Sequence, residues 1–175
     1  MKFLKIIFVT LVGIIAILLI AAFFVPKEYT VSVDQTIKKS KKEVFDYVKL
    51  IKNQEKYSVW ILDDNTTKIE YTGTDGTVGF IAAWKSDKNN EGAQEITEVV
   101  DGDRVAVDLR FKKPFESNQK AATIVTAVNE NETIVTSQFY GKDKYPMNLF
   151  SLIGKKVIKD AMTRNLANLK VILEK

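Results

Sequence analysis

The chain has 175 residues, of which 46% are hydrophobic and 27% charged, a balance typical of an ordinary globular domain and not of a disordered or fibrous protein. It contains no cysteine and no histidine, which excludes disulfides, thiolate zinc sites and the most common general base. The formal net charge is +4, and without Lys2 and Lys5 the chain has 24 basic residues against 22 acidic ones, so we expect no nucleic-acid partner.

The first predicted element is a membrane-spanning helix. Residues 6–25 carry no charged side chain, and Pro26 follows them. Twenty helical residues span about 30 Å, the thickness of a bilayer's hydrocarbon core. A cleaved signal peptide has a shorter apolar region and a small-residue cleavage pattern, and a buried core helix has a polar face. We therefore predict a transmembrane anchor at residues 1–26 and one domain at residues 27–175.

The charges on either side of this helix favour opposite orientations. Lys2 and Lys5 favour a cytoplasmic amino terminus, which makes a single-pass protein with its domain on the extracytoplasmic side. Lys27 and the lysines at 38, 39, 41 and 42 favour the reverse. The lysines at 38, 39, 41 and 42 could instead contact anionic lipid headgroups or form the solvated start of a helix. We expect the extracytoplasmic placement.

A strand and a short amphipathic helix follow. Apolar and polar residues alternate over 29–37, which predicts a half-buried strand. Ser40 and Glu43 have the spacing of a capping box, in which each side chain accepts a hydrogen bond from a free backbone N–H group. The apolar residues after them recur at helical spacing, so this helix is expected to bury one face.

Six further strands are predicted between residues 68 and 140. Turn residues separate alternating segments, a pattern typical of an antiparallel meander. Asp101 and Gly102 indicate a hairpin, and glycines 73, 76 and 79 indicate turns because no helix follows them as a phosphate loop requires. The strands are predicted at 68–72, 78–85, 93–100, 104–112, 121–128 and 133–140.

A long C-terminal helix is predicted from about Pro146 to Glu174. Its apolar stripe should lie against the sheet. The stripe consists of Leu149, Ile153, Val157, Met162, Leu166, Leu169 and Leu173. The predicted fold class is therefore α+β: an antiparallel curved sheet of about seven strands wrapped on a long C-terminal helix, preceded by one transmembrane helix.

This order of elements, with the fragments YSVW, GTDGTVGFIAAW, YGKDKYPMNL and NLANLKVILEK, resembles the START and polyketide cyclase-like (SRPBCC) superfamily of the helix-grip fold. The resemblance implies binding of a lipid or another hydrophobic small molecule between the sheet and the C-terminal helix, and some bacterial members have an N-terminal anchor. A minority of the superfamily are cyclases or hydrolases. No catalytic motif of those branches is present in the sequence, and we expect no cofactor and no metal.

Six aromatic residues are candidates for lining the implied cavity, although large aromatic residues on strands more often form the structural core. They are Trp60, Phe80, Trp84, Phe111, Phe139 and Tyr140. Two alternatives remain open. A cyclase or lyase would use a buried carboxylate among Glu70, Glu95 and Asp108, with Arg110 near it. A protein-interaction module would expose an apolar patch and have no internal pocket.

Overall fold

The chain folds into one antiparallel sheet with helices packed on it. The computed structural model describes residues 2–175. The α-helices are α1 (Lys2–Phe24), α2 (Lys41–Val48), α3 (Val59–Leu62) and α4 (Ser151–Leu173), and 3-10 helices lie at Ile51–Lys56 and Met147–Phe150. The strands are β1 (Glu28–Ile37), β2 (Lys68–Thr72), β3 (Ile81–Lys85), β4 (Glu91–Val100), β5 (Arg104–Lys113), β6 (Ser117–Asn129) and β7 (Glu132–Lys142). The predicted α+β class with a curved antiparallel sheet and a long C-terminal helix is confirmed.

The order of strands in the sheet brings the two ends of the domain together. The order is β1-β7-β6-β5-β4-β3-β2, with every neighbouring pair antiparallel. Because β1 pairs with β7, Glu28 lies opposite Lys142. The strand that follows α1 therefore begins beside the segment that leads into α4.

The two faces of the sheet differ in composition. Cross-strand partners share a face, and successive residues alternate between faces. Val31, Phe139, Ala121 and Val107 form one row of the face that the helices cover, here called the inner face. Apart from Lys113, which pairs with Glu91 at a register shift at the end of β5, none of the paired positions of the inner face within residues 2–175 is occupied by a charged side chain, whereas the outer face has many.

The core lies between one half of the inner face, α2, the first 3-10 helix and the C-terminal half of α4. Ser40 and Glu43 form the predicted capping box at the start of α2, which directs the apolar side of that helix onto the sheet. The fully buried side chains of this core include Ile37, Val44, Phe45, Phe80, Ile96, Val125, Val135 and Leu169.

Five of the predicted strands begin at different residues, and two of them are displaced by three residues or more. The strand predicted from residue 78 begins at Ile81, because Gly76 and Gly79 have positive φ angles and hold residues 76–79 in turns. Val78 is consequently exposed and does not share the face of Phe80. β6 is longer than predicted and begins at Ser117, since polar residues 117–120 pair with β5 despite their low strand propensity.

The apolar stripe of the C-terminal helix is only half buried. Met162, Leu166 and Leu169 pack in the domain as predicted. Ile153 and Val157, predicted for the same stripe, are 73% and 54% exposed. The prediction was wrong for them because, at 3.6 residues per turn, Val157 lies on the opposite side of α4 from Leu166, and the covered side of the first half instead carries Ser151 and Ile158.

The N-terminal helix α1 is long and apolar enough to cross a membrane, although a signal sequence has the same properties. Its side chains are exposed except for Ala22. The lysines at 38–42 lie beyond the other end of β1, about 30 Å along the strand from the residue that follows α1. Lys41 contacts Asp103 there, so this group is separated from α1.

Candidate ligand-binding face

The end of the inner face next to α1 is only partly covered. At this end, here called the open end, the apolar side chains are half-buried instead of fully buried. They belong to the first residues of β1, β4 and β6 and the last residues of β3, β5 and β7. The open end contains Tyr29, Trp84, Leu109, Phe111, Ala121 and Phe139.

Trp84 forms one corner of the open end by lying flat on Gly92 of the neighbouring strand. A β-carbon at Gly92 would come within 2.5 Å of the indole ring and 2.6 Å of the Arg110 carbonyl oxygen. The indole N–H donates to Asn90 Oδ1 at 3.0 Å, and the Phe111 ring meets the indole edge-on at 5.6 Å. The glycine therefore lets the indole lie close to the backbone, and the two rings make an apolar surface.

Tyr29 forms the other corner in the same way, since its ring lies over Gly141. It also contacts Phe139, with ring centroids 6.3 Å apart, and the Lys155 ammonium group of α4 lies 4.9 Å from its centroid. Burial raises the pKa of the Tyr29 phenol to about 12, and the nearby Asp143 carboxylate contributes to the rise. This phenol is therefore neutral and able to donate a hydrogen bond at physiological pH.

Two glutamines supply polar groups between these corners. Gln119 accepts a hydrogen bond from Lys142 N at 2.6 Å, and its amide nitrogen lies 3.3 Å from Asp143 Oδ1. Gln94 donates to Gln54 Oε1 at 2.9 Å. Both amides are held in place by these contacts, so the open end is a largely apolar surface with a few fixed polar groups.

The six aromatic residues predicted from the sequence do not form one group. Trp84, Phe111 and Phe139 share the open end. Phe80 lies on the same face but stacks on Tyr71 within the fully packed core. Trp60 is on α3 and is 50% exposed.

Tyr140 lies on the outer face, where its hydroxyl contacts Gln138. Successive strand residues point to opposite faces, so Phe139 and Tyr140 do not line the same site.

The carboxylates considered for catalysis also lie on the outer face. Glu95 pairs in register with Asp108 and forms an ion pair with Arg110 at 2.7 Å. Glu70 is exposed and lies opposite Ala83 on that same face. The cyclase or lyase alternative thus has none of its candidate carboxylates on the inner face.

Two concavities within residues 2–175 lie mainly outside the open end. One, about 390 Å³, runs along α1 at Lys2–Thr10, and the other, about 320 Å³, lies between β5 and β6. Four of the six residues around the second are on the outer face: Asp108, Arg110, Asn118 and Lys120. Neither of these two concavities is enclosed between the inner face and α4.

Sequence reasoning missed Tyr29, Gly92 and Gly141 as parts of this face. Tyr29 was predicted only as part of a strand, Gly92 was predicted to end a turn, and Gly141 was given no role. The available signal was a glycine in a strand interior, which often marks a close approach of another group. The register that brings Tyr29 to Gly141 is a contact between residues more than a hundred positions apart.

Comparison with solved structures supports this description of the fold. A protein from Chromobacterium violaceum matches with a TM-score of 0.60 and 12% identity, over 83% of this chain and 97% of that one. Norcoclaurine synthase from Thalictrum flavum, a point mutant in complex with a transition state analogue, matches with a TM-score of 0.60 and 12% identity, over 85% of this chain and 97% of that one. A protein of the dynemicin biosynthetic locus matches with a TM-score of 0.60 and 14% identity, over 83% of this chain and 47% of that one.

These neighbours have SRPBCC-like folds, and the chain is an α+β protein of the same helix-grip architecture. No protein-family model matches the sequence, and no curated protein matches it. At identities of 12–14% the likeness concerns the fold alone.

Proposed function

We propose that the chain is a membrane-anchored member of the START and polyketide cyclase-like superfamily that binds a hydrophobic small molecule or lipid between the inner face and α4. The observation that carries the proposal is the composition of the open end. Its half-buried aromatic and aliphatic side chains are surrounded mainly by uncharged residues on the sheet, with Lys113 at the margin and Lys155 reaching Tyr29 from α4. Binding of an apolar guest removes this surface from water, which is energetically favourable.

The chemistry of the open end favours a guest that is mostly apolar with one polar group. The Trp84 and Phe111 rings provide an apolar contact surface, while the Tyr29 phenol and the Lys155 ammonium group supply donors at one side. Aromatic surfaces with few fixed polar groups are typical of small-molecule sites. The norcoclaurine synthase of similar fold holds a transition state analogue, which supports a small-molecule guest.

Membrane anchoring through residues 1–26 is the second part of the proposal. The helix is exposed along its length, which is unfavourable in water for so apolar a surface. Asn148 donates to the carbonyl oxygens of Ala22 and Val25, a contact that supports retention of the helix over its removal as a signal sequence. The lysines at positions 2 and 5 support an extracytoplasmic domain.

Native mass spectrometry of the full-length protein, released from mild detergent, tests the binding. We expect an adduct of constant mass that organic extraction removes and identifies. Phe139→Ala should reduce the adduct, because that ring lies on the open end, whereas Tyr140→Ala should not, because Tyr140 lies on the outer face. Protein without any adduct, or equal loss in both variants, would refute the proposed site.

A protein-interaction module is the second candidate, favoured by the exposed apolar side chains at the start of α4. It differs from the first in its expected partner. An interaction module retains no small molecule in the mass spectrum and enriches a defined protein when it is isolated from membranes.

A further inference from the structure

The first half of α4 and the 3-10 helix before it expose a cluster of large apolar side chains. Phe150, Leu152, Ile153 and Val157 are 65%, 62%, 73% and 54% exposed. Four such side chains within eight residues leave an apolar surface unpartnered, and large surfaces of this kind are uncommon on soluble proteins. We call Phe150, Leu152, Ile153 and Val157 the apolar patch.

The patch is attached to the last turns of α1. The Tyr145 hydroxyl donates to the Leu19 carbonyl oxygen at 3.2 Å, and Asn148 Nδ2 donates to those of Ala22 and Val25, each at 2.7 Å. Leu19 lies five residues before the end of α1, about 7.5 Å along the helix axis. The segment that carries the patch thus begins at the depth of the anchor's final turns.

The charges beside the patch complement anionic lipid headgroups. Residues 144–159 contain four lysines and no acidic residue. Lysine side chains can extend from an apolar surface to the headgroup region, and basic residues near a membrane surface are attracted to anionic lipids. Tyr145 is a residue type enriched at membrane interfaces.

We infer that the apolar patch lies in the bilayer interface on the domain side of the membrane, so that the start of α4 lies among the headgroups and the outer acyl segments of anionic lipids. This inference rests on the proposed anchoring through α1. Its consequence is that the open end, which begins beside Glu28 and Lys142, faces the bilayer surface. A hydrophobic guest would then pass between the bilayer and the open end without crossing water.

Because the sequence contains no cysteine, one introduced cysteine can be labelled selectively in the full chain. Val157→Cys and Val171→Cys form a matched pair on α4, because these positions are 54% and 58% exposed and lie in the first and second halves of the helix. Ile14→Cys reports on the anchor. Each variant carries an environment-sensitive fluorophore and is reconstituted in vesicles of phosphatidylcholine and phosphatidylglycerol, with spin-labelled lipid or aqueous iodide as quencher.

We expect spin-labelled lipid to quench the labels at positions 14 and 157, and iodide to quench the label at 171. A label at 157 that responds to iodide as strongly as the one at 171, while position 14 responds to lipid, overturns the interfacial patch and leaves the anchor intact. A label at 14 that responds to iodide overturns the anchor and the patch together. A label at 157 shielded from both quenchers indicates a second copy of the chain as the occupant and overturns the lipid assignment.

Guest retention is measured independently on the same vesicles by mass spectrometry. If the label at 157 responds to iodide while the guest is still retained, this inference fails and the proposed binding stands. If the guest is lost while the label at 157 still responds to spin-labelled lipid, the proposed binding fails instead.

Discussion

Asn148 Nδ2 lies 2.7 Å from the carbonyl oxygen of Ala22, and it is also 2.7 Å from that of Val25. Asn148 has no exposed surface, and Ala22 is 1% exposed. The last carbonyl groups of a helix have no partner within the helix, so a side-chain donor at this position caps α1. The contact connects the end of α1 to the segment before α4 across more than a hundred residues of sequence.

Asn148→Ala should loosen this connection. Two carbonyl groups lose a buried donor, and an unsatisfied buried polar group costs about 1–3 kcal/mol. We expect faster tryptic cleavage after Lys27 in detergent-solubilised protein. Asn131→Ala is the control, because Asn131 is exposed in the turn between β6 and β7. Equal cleavage rates in the two variants would contradict a capping role for Asn148.

The strands and the capping box could be predicted because they depend on neighbouring residues. Alternation gave β2 without error, and the spacing of Ser40 and Glu43 gave the start of α2. The face of an individual residue also follows from alternation, but it requires the correct register. Tyr140 was grouped with Phe139 on size and chemistry alone, although the two are adjacent in one strand.

Only part of the buried face of α4 was predicted from the helical stripe. Val157 lies nine residues before Leu166, which at 3.6 residues per turn places the two on opposite sides of the helix. The predicted stripe joined them because both are apolar, whereas the surroundings of each side of the helix depend on contacts with residues far away in the sequence, which no local pattern records. An apolar stripe indicates burial against some apolar surroundings, and does not distinguish a protein core from a lipid interface.

Leu166→Ala should destabilise the domain by about 2–5 kcal/mol, because it leaves a cavity in a packed core. Leu166 is 4% exposed, whereas Val171 on the same helix is 58% exposed. Val171→Ala should therefore leave the free energy of unfolding nearly unchanged. Urea denaturation followed by tryptophan fluorescence measures both. An unshifted midpoint for Leu166→Ala would mean that the second half of α4 is not packed on the sheet.

Gly141→Ala should disturb the open end without affecting the core. A β-carbon at this position would overlap the Tyr29 ring, so the ring must leave its place on the strand. We expect weaker guest retention in the mass spectrum and a changed environment of the Tyr29 phenol by nuclear magnetic resonance.

Gly154→Ala is the matched control, because no other group lies within 4 Å of its added β-carbon. Alanine at this helical position should stabilise α4 by about 1 kcal/mol. If Gly154→Ala lowers guest retention as much as Gly141→Ala does, the position of the Tyr29 ring is irrelevant to binding.

Tyr29 should also give the domain a specific stability loss at high pH. Its folded-state pKa is raised from 10.0 to about 12, so between these values the unfolded chain releases a proton that the folded chain retains. The contribution of Tyr29 to the free energy of unfolding is constant below pH 10.0 and falls as the pH rises toward about 12. Tyr29→Phe removes the contribution and should make the decline shallower, although burial also raises the pKa of Tyr57 and Tyr71.

Urea midpoints of the wild-type protein and the Tyr29→Phe variant, measured between pH 10.0 and about 12, test the prediction. Parallel curves would mean that the Tyr29 phenol is as solvated in the folded protein as in the unfolded chain, and that its ring does not lie in the half-buried place over Gly141.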